Sequence, residues 1–147
     1  MSSEQGHCLC GAVKFEVTLE NHQVGVCHCD MCRRWGGASM MVETHTPPRF
    51  EDSSQVRVHA SSDWAERGFC AQCGSHLFYR LKSDSFYGIP VGLFDDNGQP
   101  WALAMEVFIE EKPGFYSFGG DARKLTGAEL FAQHGAEGSG SNAPSDS

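Results

Sequence analysis

Cysteines punctuate this chain in a pattern that suits metal ions. Cys8 and Cys10 form a C-x-C pair, and Cys27, Cys29 and Cys32 crowd the stretch VCHCDMCRRWGGAS (26–39). Cys70 and Cys73 form a C-x2-C pair in CAQCG. Thiolates are soft donors that zinc favours, and short spacings present two of them at one point. Residues i and i+2 of a strand face the same side, so each C-x-C is read as a two-thiolate claw on a strand. The Cys70 pair reads as a knuckle, in which Gly74 permits a backbone conformation that a β-carbon would oppose. Cys29-Asp-Met-Cys32 has the knuckle spacing as well, so Cys29 belongs to both patterns.

The seven thiols divide most naturally as four plus three. Cys8, Cys10, Cys70 and Cys73 would close a four-thiolate zinc site of the structural kind. Cys27, Cys29 and Cys32 would hold a second zinc and leave one corner for water or substrate, which is what separates a catalytic from a structural zinc. The alternative is that a histidine fills that corner. His28 lies between two of the ligands and is expected to face away, and His7 and His76 flank the other set. His22, His45, His59 and His134 read as ordinary surface or half-buried residues.

The elements that must position these thiols are short. AVKFEVTL (12–19) alternates Val13, Phe15, Val17 and Leu19 with Lys14, Glu16 and Thr18, the period of a half-buried strand. VGVCH (24–28), SMMVE (39–43), QVRVHA (55–60), HLFYRL (76–81), SFYGIPVGLF (85–94) and ALAMEVFIE (102–110) read similarly. Turn material such as SSD, FDDNG and EKPG separates them, which predicts a mainly β fold of short antiparallel sheets with little helix. GAELFAQHG (127–135) alone looks helical. The Gly/Ser-rich stretch 135–147 is expected to be a disordered tail behind a single zinc-binding domain at 1–134.

Composition narrows the function. In a chain of 147 residues, 40% hydrophobic and 20% charged content is that of one ordinary globular core. No apolar run approaches the roughly 18 residues of a membrane span, and MSSEQGHCLC lacks the marks of a secretory signal, so the cytoplasm is the expected compartment. There the cysteines would stay reduced, and their odd number argues further against disulfides. A formal charge of −8 disfavours nucleic acid and anionic membranes as partners.

Taken together, CLCG from Cys8, CHCDMCRRW from Cys27, CAQCG from Cys70 and EKPGFY (111–116) resemble the glutathione-dependent formaldehyde-activating family, whose domain also occurs in centromere protein V. The match runs from about Gly6 to Phe118 and includes the spacing of all seven cysteines. The resemblance implies a mostly β, tent-like fold and the four-plus-three division of zinc roles. It also implies a carbon-sulfur lyase that interconverts S-hydroxymethylglutathione with formaldehyde and glutathione, a small-molecule thiol partner.

Three cysteinates outweigh the charge of a zinc ion, which suits activation of a thiol better than of water. Arg33 and Arg34, next to Cys32, are the cations placed to offset that negative charge, or else a solvated pair on a loop. Lys14, Arg49, Arg67 and Arg80 are the further cations available to anionic glutathione. Trp35 and the following glycines read either as a wall against which a ligand packs or as core. Asp30 is an acid-base candidate by proximity alone. The competing reading is a non-catalytic zinc module that binds a thiol or a protein. The lack of a basic extension tilts the balance towards an enzyme.

Overall fold

The computed structural model describes residues 1–95 and 98–138. In chain order the strands are β1 (Ser2–His7), β2 (Lys14–Leu19), β3 (Gln23–Cys27), β4 (Ser39–Thr44), β5 (Arg49–Phe50), β6 (Val56–Ala60), β7 (Ala65–Cys70), β8 (His76–Leu81), β9 (Tyr87–Pro90), β10 (Ala102–Val107) and β11 (Arg123–Leu125). Two α-helices, α1 (Asp30–Gly36) and α2 (Gly127–Gly138), complete a mostly β architecture. No helix among the described residues is long and apolar enough to cross a membrane.

The chain forms two compact units. The first takes Met1–Gln23 and Met41–Trp101, the second Val24–Met40 and the chain from Ala102 on.

In the first unit, β2 is flanked by β1 and β5 in antiparallel register, with Phe15 opposite Phe50 and Glu16 opposite Arg49. The alternation read from the sequence is what buries Val13, Phe15, Val17 and Leu19 while Lys14 faces solvent. A second antiparallel array runs in the order β4-β9-β8-β7-β6. Aromatic side chains connect the two arrays. Phe94 meets Phe15 at 5.8 Å, Phe15 meets Phe50 at 6.1 Å, and Phe50 meets Phe78 at 6.0 Å between ring centroids. Gly68 makes room for that row, since a β-carbon there would stand 2.4 Å from the Phe78 ring. Removing the Phe78 ring would cost about 3–5 kcal/mol, the usual loss for a fully buried aromatic.

In the second unit β10 lies between β3 and β11. Its pairing with β11 is parallel, Glu106 opposite Lys124, and so departs from the antiparallel expectation. After β10 the chain turns sharply at Phe108, which has φ 56 and ψ 45. A non-glycine residue in that left-handed region costs about 1 kcal/mol or more unless packing holds it there. Here the ring is seated against Gly127 and edge-on to Phe131, 5.8 Å between centroids.

Helix α2 begins with a reciprocal cap. The Glu129 N–H donates to the Thr126 hydroxyl at 3.0 Å, and the Thr126 N–H donates to the Glu129 carboxylate at 2.8 Å. The helix continues to Gly138, past the point where a disordered tail was expected to begin, and 139–147 lie outside the described residues. Helix α1 was not anticipated. DMCRRWG shows no apolar period, and its cap is a cysteine in place of the usual Ser or Asp.

Candidate metal centres

Each unit carries one cysteine group, and all seven cysteines are free thiols. In the first unit Cys8, Cys10, Cys70 and Cys73 place their sulfurs within 4.8 Å of one another. Cys8 and Cys10 were expected on a strand, but they sit in a turn that follows β1. The Cys8 N–H donates to Val13 O at 3.0 Å, the Gly11 N–H donates to Cys8 O at 3.1 Å, and Gly11 takes φ 84. The turn brings the two sulfurs to 3.7 Å, and Cys10 stands 3.9 Å from Cys70. The Cys70 knuckle is as the sequence predicts. The Gly74 N–H donates to Cys70 O at 2.8 Å, and Gly74 has φ 79. Ser75 braces both halves: its hydroxyl accepts from the Leu9 N–H at 3.0 Å and lies 3.2 Å from Cys73 Sγ.

These distances fit a tetrahedral ion. Zinc–sulfur bonds of about 2.3 Å set sulfurs roughly 3.8 Å apart on a tetrahedron's edge, whereas a disulfide requires about 2.05 Å. The Ser75 hydroxyl, and after it the Ser75 backbone, hold Cys73 down to about 5, so one ligand is ready as thiolate.

In the second unit Cys27 ends β3, while Cys29 caps α1, with the Cys32 N–H donating to Cys29 Sγ at 3.4 Å. The strand therefore ends before the second thiol of the C-x-C pair, and the helix delivers Cys32 alongside it. The three sulfurs lie within 4.8 Å of one another, and among the described residues no fourth Cys, His, Asp or Glu donor joins them. Hydrogen bonding with Cys29 and Cys32, then burial and the charges of those two thiols, push Cys27 well above its ordinary value. Cys29 is pushed up to about 12. The Cys27 sulfur, the largest influence, favours its thiolate, but hydrogen bonding to Cys32, burial and the Cys32 charge together outweigh it. Thiols crowded this closely resist ionisation until a cation neutralises them, and a divalent ion would do so. The donor set fits zinc.

The surroundings of this group are apolar. Phe108, Val107, Met31, Leu130 and Phe131 pack with the three cysteines, so β10, α1 and α2 all contribute to its wall. His28 faces away from the sulfurs and is fully buried. Its Nε2–H donates to the Glu106 carboxylate at 2.9 Å, its Nδ1 lies 3.2 Å from the Tyr116 hydroxyl, and Phe118 stacks on its ring. Sequence reasoning anticipated the direction of His28 but missed Glu106 and Tyr116, which are seventy-eight and eighty-eight residues away.

Most of the candidate cations have partners. Arg33 donates from Nε to the His28 carbonyl at 2.9 Å and approaches Asp30 at 3.7 Å. Arg34 is exposed and forks onto Asp30, 3.0 and 3.1 Å from its two carboxylate oxygens. Asp30 is thus occupied by the two arginines, and Trp35 is half-buried. Lys14, Arg49, Arg67 and Arg80 belong to the first unit. There Arg49 pairs with Glu16, Arg80 pairs with Glu66 at 2.8 Å, and the buried Arg67 lies over the Tyr79 ring at 5.0 Å. Of the histidines, His7 pairs with Asp95 at 2.6 Å, and His22 pairs with Glu4 at 2.9 Å.

A mostly β fold carrying a four-thiol and a three-thiol cluster, each able to hold a metal ion, defines the class. The family model of the glutathione-dependent formaldehyde-activating enzyme matches residues 3–111, and the chain belongs to that family. It is 30% identical over 140 residues to an uncharacterized lyase of Schizosaccharomyces pombe, with 88% of this chain and 96% of that protein covered. The crystal structure of a Rhodobacter sphaeroides protein shares the fold, with a TM-score of 0.54 at 24% identity over 68% of this chain and 99% of that one.

Proposed function

We propose that this protein is a zinc-dependent carbon-sulfur lyase that interconverts S-hydroxymethylglutathione with glutathione and formaldehyde, or acts on a closely related thiol adduct. The observation that carries this reading is the three-thiol group, which no fourth donor joins among the described residues. Family membership and the lyase relative support it. Cys27, Cys29 and Cys32 would hold the catalytic zinc, and Cys8, Cys10, Cys70 and Cys73 a structural one. A zinc ion bound at the three-thiol group would supply stabilisation of a substrate thiolate at neutral pH.

The chain's own residues set the conditions. Phe108, Leu130 and Phe131 form an apolar wall beside the thiols, and apolar surroundings strengthen charge interactions. In the cleavage direction the carbon-sulfur bond breaks with its electron pair going to sulfur, and the hydroxyl proton leaves as the carbonyl of formaldehyde forms. The reverse reaction adds the thiolate to formaldehyde and returns a proton to oxygen. The single domain at 1–134 is part of this proposal. Each unit is built from two separate stretches of chain, so neither can be excised as one piece.

Cobalt substitution tests the reading. In a cobalt-loaded chain, glutathione is expected to intensify and shift the sulfur-to-metal absorption, and S-methylglutathione, which cannot become a thiolate, to do so weakly or not at all. No response to either compound would favour a non-catalytic module. An equal response to both would remove the proposed thiol activation.

A further inference from the structure

His28 is pinned at every polar group it has. Its backbone N–H donates to the Val107 carbonyl at 3.0 Å, and its carbonyl accepts from Arg33 Nε at 2.9 Å. Its Nε2–H donates to Glu106 at 2.9 Å, and its Nδ1 shares a hydrogen bond with the Tyr116 hydroxyl at 3.2 Å. Glu106, itself buried, places its other carboxylate oxygen 3.8 Å from Lys124 Nζ. Burying an imidazole and a carboxylate is costly, and an apolar pair of similar volume would pack as stably or better. Such a pair is worth its cost where it fixes a geometry. His28 is the residue between Cys27 and Cys29, so fixing it fixes the backbone that carries both sulfurs.

The segment that brings Tyr116 to His28 is the EKPGFY motif. Lys112 Nζ donates to the Pro113 carbonyl at 2.9 Å and to the Tyr116 carbonyl, and stands over the Tyr116 ring at 4.8 Å. This folds 112–116 into a closed strap, with the phenol of Tyr116 directed at the imidazole. Nothing in the thiol chemistry itself calls for this motif.

We propose that His28 is a positioning residue for the three-thiol group, and that Glu106 and the Lys112–Tyr116 strap act through it. The network sets the separation of the Cys27 and Cys29 sulfurs, and with it the affinity and symmetry of the metal site. This rests on the reading of that group as a metal site. Outer residues that orient ligands commonly change metal affinity by about 10–100-fold when removed.

The test uses the full chain loaded with cobalt and titrated with a chromophoric chelator. In the wild-type chain metal should leave in two phases, the weaker one assigned by its loss in Cys32→Ser. Tyr116→Phe removes one oxygen and keeps the ring. It is expected to weaken the weaker phase by about tenfold or more and to alter its visible cobalt bands, leaving the tighter phase unchanged. Glu106→Gln should act in the same direction, and if it or His28→Gln fails to fold, Tyr116→Phe still decides. An unchanged weaker phase and spectrum in Tyr116→Phe overturns the positioning role while the metal reading stands. Equal weakening of both phases also overturns it, because that marks a general loss of structure. A wild-type chain with no second phase removes the metal reading and this proposal with it.

Discussion

The sulfurs of Cys10 and Cys70 stand 3.9 Å apart although sixty residues separate them in the chain. A metal ion between them would therefore clamp the turn after β1 to the knuckle after β7. In small zinc peptides such binding contributes on the order of 10 kcal/mol of folding free energy. Cys73→Ser is accordingly expected to lower the stability of the whole chain severely, whereas Cys32→Ser should be milder. Chemical denaturation followed by far-UV circular dichroism compares them, and equal losses would contradict the division into a structural and a catalytic site.

Metal content follows from the same division. Protein purified without added zinc or chelator should carry up to about two zinc ions per chain, one held tightly and one more loosely. Elemental analysis before and after mild chelation measures both. Disulfides found by mass spectrometry in a metal-free preparation would remove the basis for either site.

The two sites should differ in pH dependence. Cys27 and Cys29 have raised values and hold their protons at neutral pH, so metal uptake must displace both. Affinity at the three-thiol group should then fall as pH falls, by at least about a hundredfold per unit for these two displaced protons. The four-thiol group should respond less steeply than four displaced protons would require. Cys73, held down to about 5 by Ser75, is already ionised across this range, and Cys8 is also lowered, although Cys10 is raised to about 11. Chelator competition at about pH 6 and about pH 8 reads both slopes. A slope at the four-thiol group that needs all four protons displaced would contradict an ionised Cys73.

Gly127→Ala tests the packing around Phe108. A β-carbon at Gly127 would stand 2.4 Å from the Phe108 ring, which packs in the cluster that includes Cys29 and Cys32. Overpacking of this kind typically costs about 1–3 kcal/mol. Denaturation should show that loss, and cobalt affinity at the three-thiol group should fall with it. Gly92→Ala, where nothing lies within 4 Å, is the control and should do neither.

The grouping of the thiols was legible because ligand spacing is local, and the alternation of β2 was legible because one face is buried along its whole length. Strand β8 falls on the residues expected, His76–Leu81. What could not be read were features fixed by distant partners. Cys8 and Cys10 converge because β1 ends at His7 and the chain then turns, with Cys8 bonded to Val13 and to Gly11 at φ 84. The region 102–110 read as one strand, but Phe108 leaves it because its ring finds Gly127 and Phe131. A buried glutamate reads in sequence as a surface residue, so Glu106 gave no sign of its partner.

The order in which the ribosome releases the chain adds a consequence to the interleaving of the two units. Cys27, Cys29 and Cys32 emerge before Phe108, Leu130 and Phe131, which wall them in. Until those later residues have emerged these thiols are therefore uncovered, and Cys8 and Cys10 likewise wait for Cys70 and Cys73. Early capture of a metal ion would protect the nascent cysteines from oxidation and from pairing with one another. Expression under zinc limitation should accordingly reduce the yield of folded protein more than later removal of zinc from the finished chain reduces its stability.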